Sequence, residues 1–497
     1  MLYTSTRNSG VRVSSAAAIS QGISSDGGLF VPESIPVLTE EDMKSLDCYD
    51  YINRAFLILS KFLTDYSEKE LYECVASAYQ DDKFDNNDPA PLRKLGEGEY
   101  MLELWHGPTC AFKDVALQLL PHLLTVAVRK EHQGKKVVIL VATSGDTGKA
   151  ALEGFKDVSD TDILVFYPQN GVSPMQKAQM VTQEGGNVGV CAIEGNFDDA
   201  QTGVKKIFTD PAIRGLLEKN GKMFSSANSI NWGRLVPQIV YYVSAYCDLV
   251  NDGAIAMGDP FNVVVPTGNF GNILAAYYAR QMGVPIAKLI CASNENKVLT
   301  DFIQTGIYNR NRDFYTTASP SMDILISSNL ERLLYELSGK DDRQVTAWMQ
   351  ELSETGHYKV GPEMLEKIQS LFYAGYCDDD DTKSTIARLF KEKNYLCDTH
   401  TAVAINVYRQ YVEETGDHTC TVIASTASPF KFVSSVLEAV QGGTNAGSEY
   451  EMITELNVIT GEHIPEPLSD IMNKERRFED VCTKENMRDY VISALNL

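Results

Sequence analysis

Lys113 stands in Leu104-Trp105-His106-Gly107-Pro108-Thr109-Cys110-Ala111-Phe112-Lys113-Asp114-Val115-Ala116, where a Gly-Pro turn gives way to a helical pattern. A lysine among apolar neighbours at a helix start is a candidate Schiff-base former. Burial favours the neutral amine and depresses its pKa by up to ~3–5 units, which is the state a nucleophile needs. A lysine whose stem covers apolar surface while its ammonium reaches water fits the same segment. A second candidate is Gly268-Asn269-Phe270-Gly271-Asn272, which follows a valine run and opens a helical pattern. Its N–H groups can converge on an anion at the positive end of a helix dipole, as a phosphate cup does. Glycines in a strand-to-helix turn also serve purely steric ends. The third is Thr143-Ser144-Gly145-Asp146-Thr147-Gly148, whose hydroxyls and N–H groups suit a carboxylate or make an ordinary helix N-cap. Neither glycine loop has the Walker A or the G-x-G-x-x-G spacing, which disfavours nucleotide binding.

These loops need a frame. Several segments repeat a short β-branched run, a loop rich in Gly, Ser, Thr or Asn, and an amphipathic helical pattern, the grammar of an α/β fold with parallel sheets and flanking helices. Val137–Val141 precedes the Thr143 loop, Val263–Val265 precedes the Gly268 loop, and Thr421–Ala424 precedes Ser425-Thr426-Ala427-Ser428-Pro429. Ligands in open α/β sheets sit at the carboxyl ends of strands, so the three loops are expected to share one site. The polar, acidic stretch Gln80–Pro89 reads as an exposed connection following a small N-terminal domain. The run Asp378–Asp381 reads as a surface loop.

The 497 residues, 44% of them hydrophobic, are enough for two or three domains with a large core. A formal net charge of −23 repels nucleic acid and anionic membranes, yet permits a small anion held locally by N–H groups or an arginine. The opening segment lacks a basic-then-apolar leader and no run of about 20 apolar residues occurs, which leads to the expectation of a cytoplasmic chain without membrane or nucleic-acid partners. Ten cysteines without C-x-x-C and seven dispersed histidines suggest no metal site and no disulfide framework.

Taken together, the three loops resemble those of the tryptophan-synthase-β-like family of pyridoxal-phosphate (PLP) enzymes. Flanking segments narrow the resemblance to the threonine synthase family of bacterial and fungal type: Tyr3-Thr4-Ser5-Thr6-Arg7 with Asp26–Pro32, Ser173-Pro174-Met175-Gln176, Asn228-Ser229-Ile230-Asn231-Trp232, Ser293-Asn294-Glu295-Asn296, Ser321–Asn329 and Asp398–Val403. The resemblance covers nearly the whole chain. It implies a fold type II PLP enzyme with an N-terminal domain at 1–90, a large PLP-binding domain at 91–140 and 256–497, and a smaller α/β substrate-loop domain at 141–255.

The same resemblance implies that Lys113 holds PLP as a Schiff base and acts as the catalytic base. Gly268, Asn269, Phe270, Gly271 and Asn272 would wrap the cofactor phosphate, and Thr426 would face the pyridine nitrogen. Ser144, Asp146 and Thr147 look like the substrate-carboxylate loop. Asn228, Asn231 and Arg234 are the candidates for the substrate phosphate, since amides and a guanidinium fork suit that group. The activity implied is conversion of O-phospho-L-homoserine and water to L-threonine and phosphate. A phospholyase giving 2-oxobutyrate and a PLP-binding protein without turnover are the alternatives, and monomer and homodimer both stay open. Two departures are visible: Asn272 where some relatives carry Asp, and Ser428 where a His often stands.

Overall fold

Strands buried on both faces need no polar alternation, and the valine and isoleucine runs of this sequence become such strands. The computed structural model describes residues 1–80, 83–85, 88–132, 134–143, 145–170, 172–443 and 447–497, with 198 and 472 as backbone only. A six-stranded sheet runs in the order Phe372–Tyr376, Ile286–Ser293, Phe261–Pro266, Thr421–Ser425, Glu99–Glu103, Leu92–Gly96. All neighbours are parallel except the last pair. A five-stranded parallel sheet runs Val481–Thr483, Val188–Glu194, Thr161–Pro168, Lys136–Ala142, Lys222–Ser225. The chain is thus α/β with parallel sheets and flanking helices, as the sequence indicates.

Sheet membership differs from the sequence boundaries at two places. Strand Lys136–Ala142 belongs wholly to the five-stranded sheet, and so does Val481–Thr483, which pairs with Val188–Glu194. Residues expected with the larger unit therefore help build the smaller one.

Residues 1–79 form a three-stranded antiparallel sheet and helices that include Glu40–Cys48, Tyr51–Phe62 and Glu68–Tyr79. This segment buttresses the rest. Tyr3 packs edge-on against the buried Trp232 at 5.4 Å, and Arg7 forms a bidentate pair with Glu331 at 2.8–2.9 Å. The expected connection Gln80–Pro89 includes Asp81, Asp82, Asn86 and Asn87, which lie outside the described residues; of its remainder, Phe84 is buried in the core.

The acidic run is not a loop. Asp378 caps helix Asp379–Lys393, its carboxylate accepting the Asp381 N–H at 2.8 Å, and the other three aspartates fill the first turn. Carboxylates there complement free N–H groups and the helix dipole, a use that charge-run reasoning overlooks.

Candidate active site

Three neighbouring parallel strands send their carboxyl ends to one place. Glu99–Glu103 leads to Lys113, Thr421–Ser425 leads to Thr426, and Phe261–Pro266 leads to Gly268. The first two loops are stitched together: Leu104 N–H donates to Ser425 O at 2.9 Å, Phe112 N–H to Thr426 O at 2.8 Å, and Ser428 N–H to Cys110 O at 3.0 Å. Thr426 is buried, its N–H donates to Thr401 Oγ1 at 3.3 Å, and its hydroxyl has no partner among the described residues.

Lys113 is the first residue of helix Lys113–Glu131 and is buried. Its Nζ donates to Ser321 Oγ at 3.2 Å and lies 3.8 Å from Asp146 Oδ2. Burial holds the amine below the usual lysine range; Asp146 opposes that shift, while Lys431 and Arg234 reinforce it. The snorkelling alternative does not apply.

The glycine loop has the form of a cup. Phe270 adopts left-handed backbone at φ +62°, with its ring buried, and helix Gly271–Gln281 starts at the next residue. No described residue accepts the N–H groups of Gly268 through Asn272. A Cβ on Gly268 would come within 2.5 Å of Ser321 O, so only glycine fits there. Asn272 Oδ1 accepts from Tyr242 OH, and its buried Nδ2 is left unpartnered among the described residues. Unpaired N–H groups at a helix N-terminus, next to a buried amine, fit a phosphorylated aldehyde cofactor.

The Asp146 loop is more committed than the sequence suggests. Thr143 Oγ1 accepts the N–H groups of Gly145 and Gly148, both at 3.0 Å, which leaves those of Asp146 and Thr147 without acceptors among the described residues. Ser144 lies outside the described residues. The Asp146 carboxylate accepts from Lys431 Nζ at 2.8 Å and from Gln176 Nε2 at 3.2 Å. Burial alone would raise this carboxyl, but Lys431 and Lys113 hold it well below the ordinary carboxylate range.

The three phosphate candidates part ways. Arg234, on helix Trp232–Asn251, is buried and has no carboxylate partner among the described residues; its Nη1 donates to Ala227 O at 2.6 Å and its buried Nε has no acceptor. Burial brings the guanidinium down to about 10. Asn228 is exposed, and its N–H donates to Ser226 Oγ at 3.2 Å. Asn231 is spent on local structure, since its Oδ1 accepts the Gly233 N–H at 2.8 Å as the helix N-cap, and its amide hydrogens go to Ile19 O at 3.0 Å and Ser226 O at 2.8 Å. With its donors engaged in this way, Asn231 fixes the helix that carries Arg234.

Several supporting residues went unassigned in the sequence. Ser321 touches Lys113 and the cup, and its N–H donates to His400 Nε2 at 3.1 Å. A backbone N–H can only donate, so Nε2 is the acceptor and Nδ1 carries the proton toward Asp398 Oδ1 at 2.8 Å. Lys431, two residues after Pro429, is fully buried. Ser321, His400 and Asp398 lie in the segments that carry the family resemblance, which was the available signal. For Lys431 only its closeness in sequence to Thr426 pointed the way.

Three family matches tile the chain: "Threonine synthase N terminus" over residues 2–79, "Pyridoxal-phosphate dependent enzyme" over 87–365, and "Threonine synthase, C-terminal" over 401–491. Threonine synthase of Pseudomonas aeruginosa is 37% identical, with 96% of this chain and 95% of that protein covered. Threonine synthase-like 1 of Macaca fascicularis is 43% identical over 85% of this chain, which spans 58% of that longer relative. The crystal structure of PLP-bound threonine synthase from Brucella melitensis superposes with a TM-score of 0.88 at 36% identity, covering 99% of both chains. Whole-length likeness of sequence and fold, around a lysine and a phosphate cup that suit PLP, establishes that this chain belongs to the threonine synthase family of pyridoxal-phosphate-dependent enzymes.

Proposed function

We propose that this site converts O-phospho-L-homoserine and water into L-threonine and phosphate. The observation that carries the reading is a pair of separate anion-binding features around one amine. The N–H cup of Gly268–Asn272 is joined to Lys113 through Ser321, whose Oγ accepts from the Lys113 amine at 3.2 Å and whose carbonyl crowds Gly268, and the buried Arg234 offers a second cation with an unsatisfied Nε. A site for one phosphate needs only the first. A second cationic feature suits a substrate that carries its own phosphate.

PLP, once bound, supplies an electron sink for negative charge developing at the substrate carbon. The residues that would hold it are Lys113, Gly268, Asn269, Phe270, Gly271, Asn272 and Thr426. A hydroxyl at Thr426, in place of a carboxylate, would leave the ring nitrogen's charge unforced. The free N–H groups of Asp146 and Thr147, with Ser144, receive the substrate carboxylate, and Arg234 receives its phosphate, with the exposed Asn228 as a further candidate. Lys113, whose amine burial holds below the usual lysine range, takes the proton from Cα and returns it. Across the reaction a Cα–H bond and a Cβ–H bond break, the Cγ–O bond to phosphate breaks, hydroxide from water bonds to Cβ while the water's other proton leaves with phosphate, and protons return to Cα and Cγ.

Incubation of the purified chain with O-phosphohomoserine, with threonine, 2-oxobutyrate and phosphate all quantified, tests this. Equal threonine and phosphate are expected. Phosphate with 2-oxobutyrate would place the chain among phospholyases, and no phosphate at all would leave it a PLP-binding protein. Lys113→Ala should retain the fold and lose turnover by about 10²-fold or more.

A further inference from the structure

We propose that Lys431 is a positioning residue for Lys113: from a fully buried place it clamps the Asp146 carboxylate at 2.8 Å and shares a negative charge that would otherwise bear on the Lys113 amine alone. The geometry makes the three groups a chain. Lys431 Nζ lies 2.8 Å from Asp146 Oδ1, and Lys113 Nζ lies 3.8 Å from Asp146 Oδ2, so each oxygen of one carboxylate faces one lysine. The side chains of Lys431 and Asp146 are 0% and 3% exposed, too dry for solvent to screen the exchange.

Lys431 is fixed from its other side as well. It lies in the short turn Pro429–Phe432, capped by Ser428 Oγ, and its Nζ donates to Thr109 O at 2.8 Å, within the loop that delivers Lys113. It therefore bridges a loop of the six-stranded sheet to the first turn of helix Asp146–Phe155, beside the N–H groups assigned to the substrate carboxylate. Gln176 Nε2 supports the same carboxylate at 3.2 Å.

The consequence is a balance of charge. An isolated carboxylate 3.8 Å from a buried amine favours the ammonium and would spoil Lys113 as a nucleophile and base. Two lysines on one carboxylate leave one positive charge in surplus, and the amine of Lys113, which has the weaker contact, is the one disfavoured. The other charged groups facing Lys113 are Arg234, which acts in the same direction as Lys431, and Asp114, which acts against it; His400 bears on Asp146. Without the clamp, an anionic substrate would also meet the uncompensated charge of Asp146.

The proposal rests on Lys113 being the cofactor lysine, and its test does not require turnover. In the 497-residue chain freed of cofactor, Lys113 would be labelled with acetic anhydride across pH and quantified by mass spectrometry. In the loaded chain, the visible absorbance would be titrated over the same range. Lys431→Met is expected to move both midpoints up by about one pH unit or more. Asp146→Asn should move them down, and Lys431→Arg, which keeps the charge, should stay near wild type. Should Lys431→Met not fold, Lys431→Gln, which also removes the charge, takes its place and is expected to move the midpoints the same way, an unmoved midpoint in the folded variant overturning the proposal. Midpoints that stay put in the folded Met variant, or an Asp146→Asn shift that is absent or upward, would overturn the proposal. Loss of label at Lys113 in every form, with cofactor attached elsewhere, would instead overturn the assignment of Lys113.

Discussion

Asn329 holds Asn269 by two hydrogen bonds to one oxygen: its backbone N–H and its side-chain Nδ2 both donate to the Asn269 carbonyl, at 3.1 and 3.0 Å. The same Nδ2 reaches Ser229 O at 3.2 Å, and the Asn329 side-chain oxygen Oδ1 accepts from the buried Arg332, which also donates to Ile230 O at 2.6 Å. The glycine-rich loop Gly268–Asn272 and the segment leading to Arg234 thus hang from one amide.

That shared support gives the first prediction. Asn329→Ala should weaken cofactor binding and substrate binding together, each by about 3–10-fold, because a net hydrogen bond contributes about 0.5–1.5 kcal/mol. Titration of cofactor into the stripped chain and a KM measurement at saturating cofactor would report the two effects. A change in only one of them would show that the amide does not couple the two loops.

Arg234→Lys should raise KM for the phosphorylated substrate about tenfold or more while leaving cofactor retention unchanged. The planar fork is lost, and lysine offers a point charge in its place. Dialysis against buffer, followed by absorbance of the retained cofactor, separates the outcomes; a variant that sheds cofactor yet keeps its KM would place Arg234 at the cup instead.

Thr426 is a buried residue whose hydroxyl has no hydrogen-bond partner among the described residues. Thr426→Val preserves shape and removes the hydroxyl, so the fold should persist while cofactor affinity falls about 2–10-fold. Equal dissociation constants for the two proteins would mean that this hydroxyl makes no contact with the ring.

Asp114 supplies a pH signature. Burial raises its carboxyl from 3.8 to about 6, even though Thr109 donates from both its N–H and its hydroxyl. The folded state therefore binds a proton more tightly than the unfolded state. Its contribution to stability is fully present below pH 3.8 and fades as pH rises through about 6. Denaturant melts between pH 4 and 7 should show this slope in wild type and a flatter profile in Asp114→Asn; identical slopes would refute the shift.

The parts of this site that read directly from sequence are those built locally. Strand, loop and helix start follow one another within about a dozen residues at Gly268 and at Thr143, and turn chemistry marks them without reference to the rest of the chain. Strand Glu99–Glu103, with sequence Glu-Tyr-Met-Leu-Glu, has no β-branched run to announce it, although it delivers Lys113. The clamp between Lys431 and Asp146 was illegible for another reason: it joins residues far apart in sequence, and nothing in either local segment selects the other. Asn231 shows the converse. Its amide suits a phosphate or a helix cap equally well, and only the positions of Ile19 O and Ser226 O decide between them.

The placement of Val481–Thr483 bears on how the chain reaches this state. Parallel pairing of Val481 with Ala192 closes one side of the five-stranded sheet across more than half of the sequence. Until that segment has been synthesised, strand Val188–Glu194 presents an open edge of unpaired backbone, of the kind that pairs readily with other chains. Late-arriving, distant strands of this kind slow folding and lengthen the exposure of such edges. Helix Met487–Ala494, which covers Val204 and Ile207 of the same unit with Met487 and Val491, arrives later still. Newly made chains should accordingly depend on chaperones or low concentration until this strand and helix have left the ribosome, long after the loops around Lys113 and Gly268 have been made.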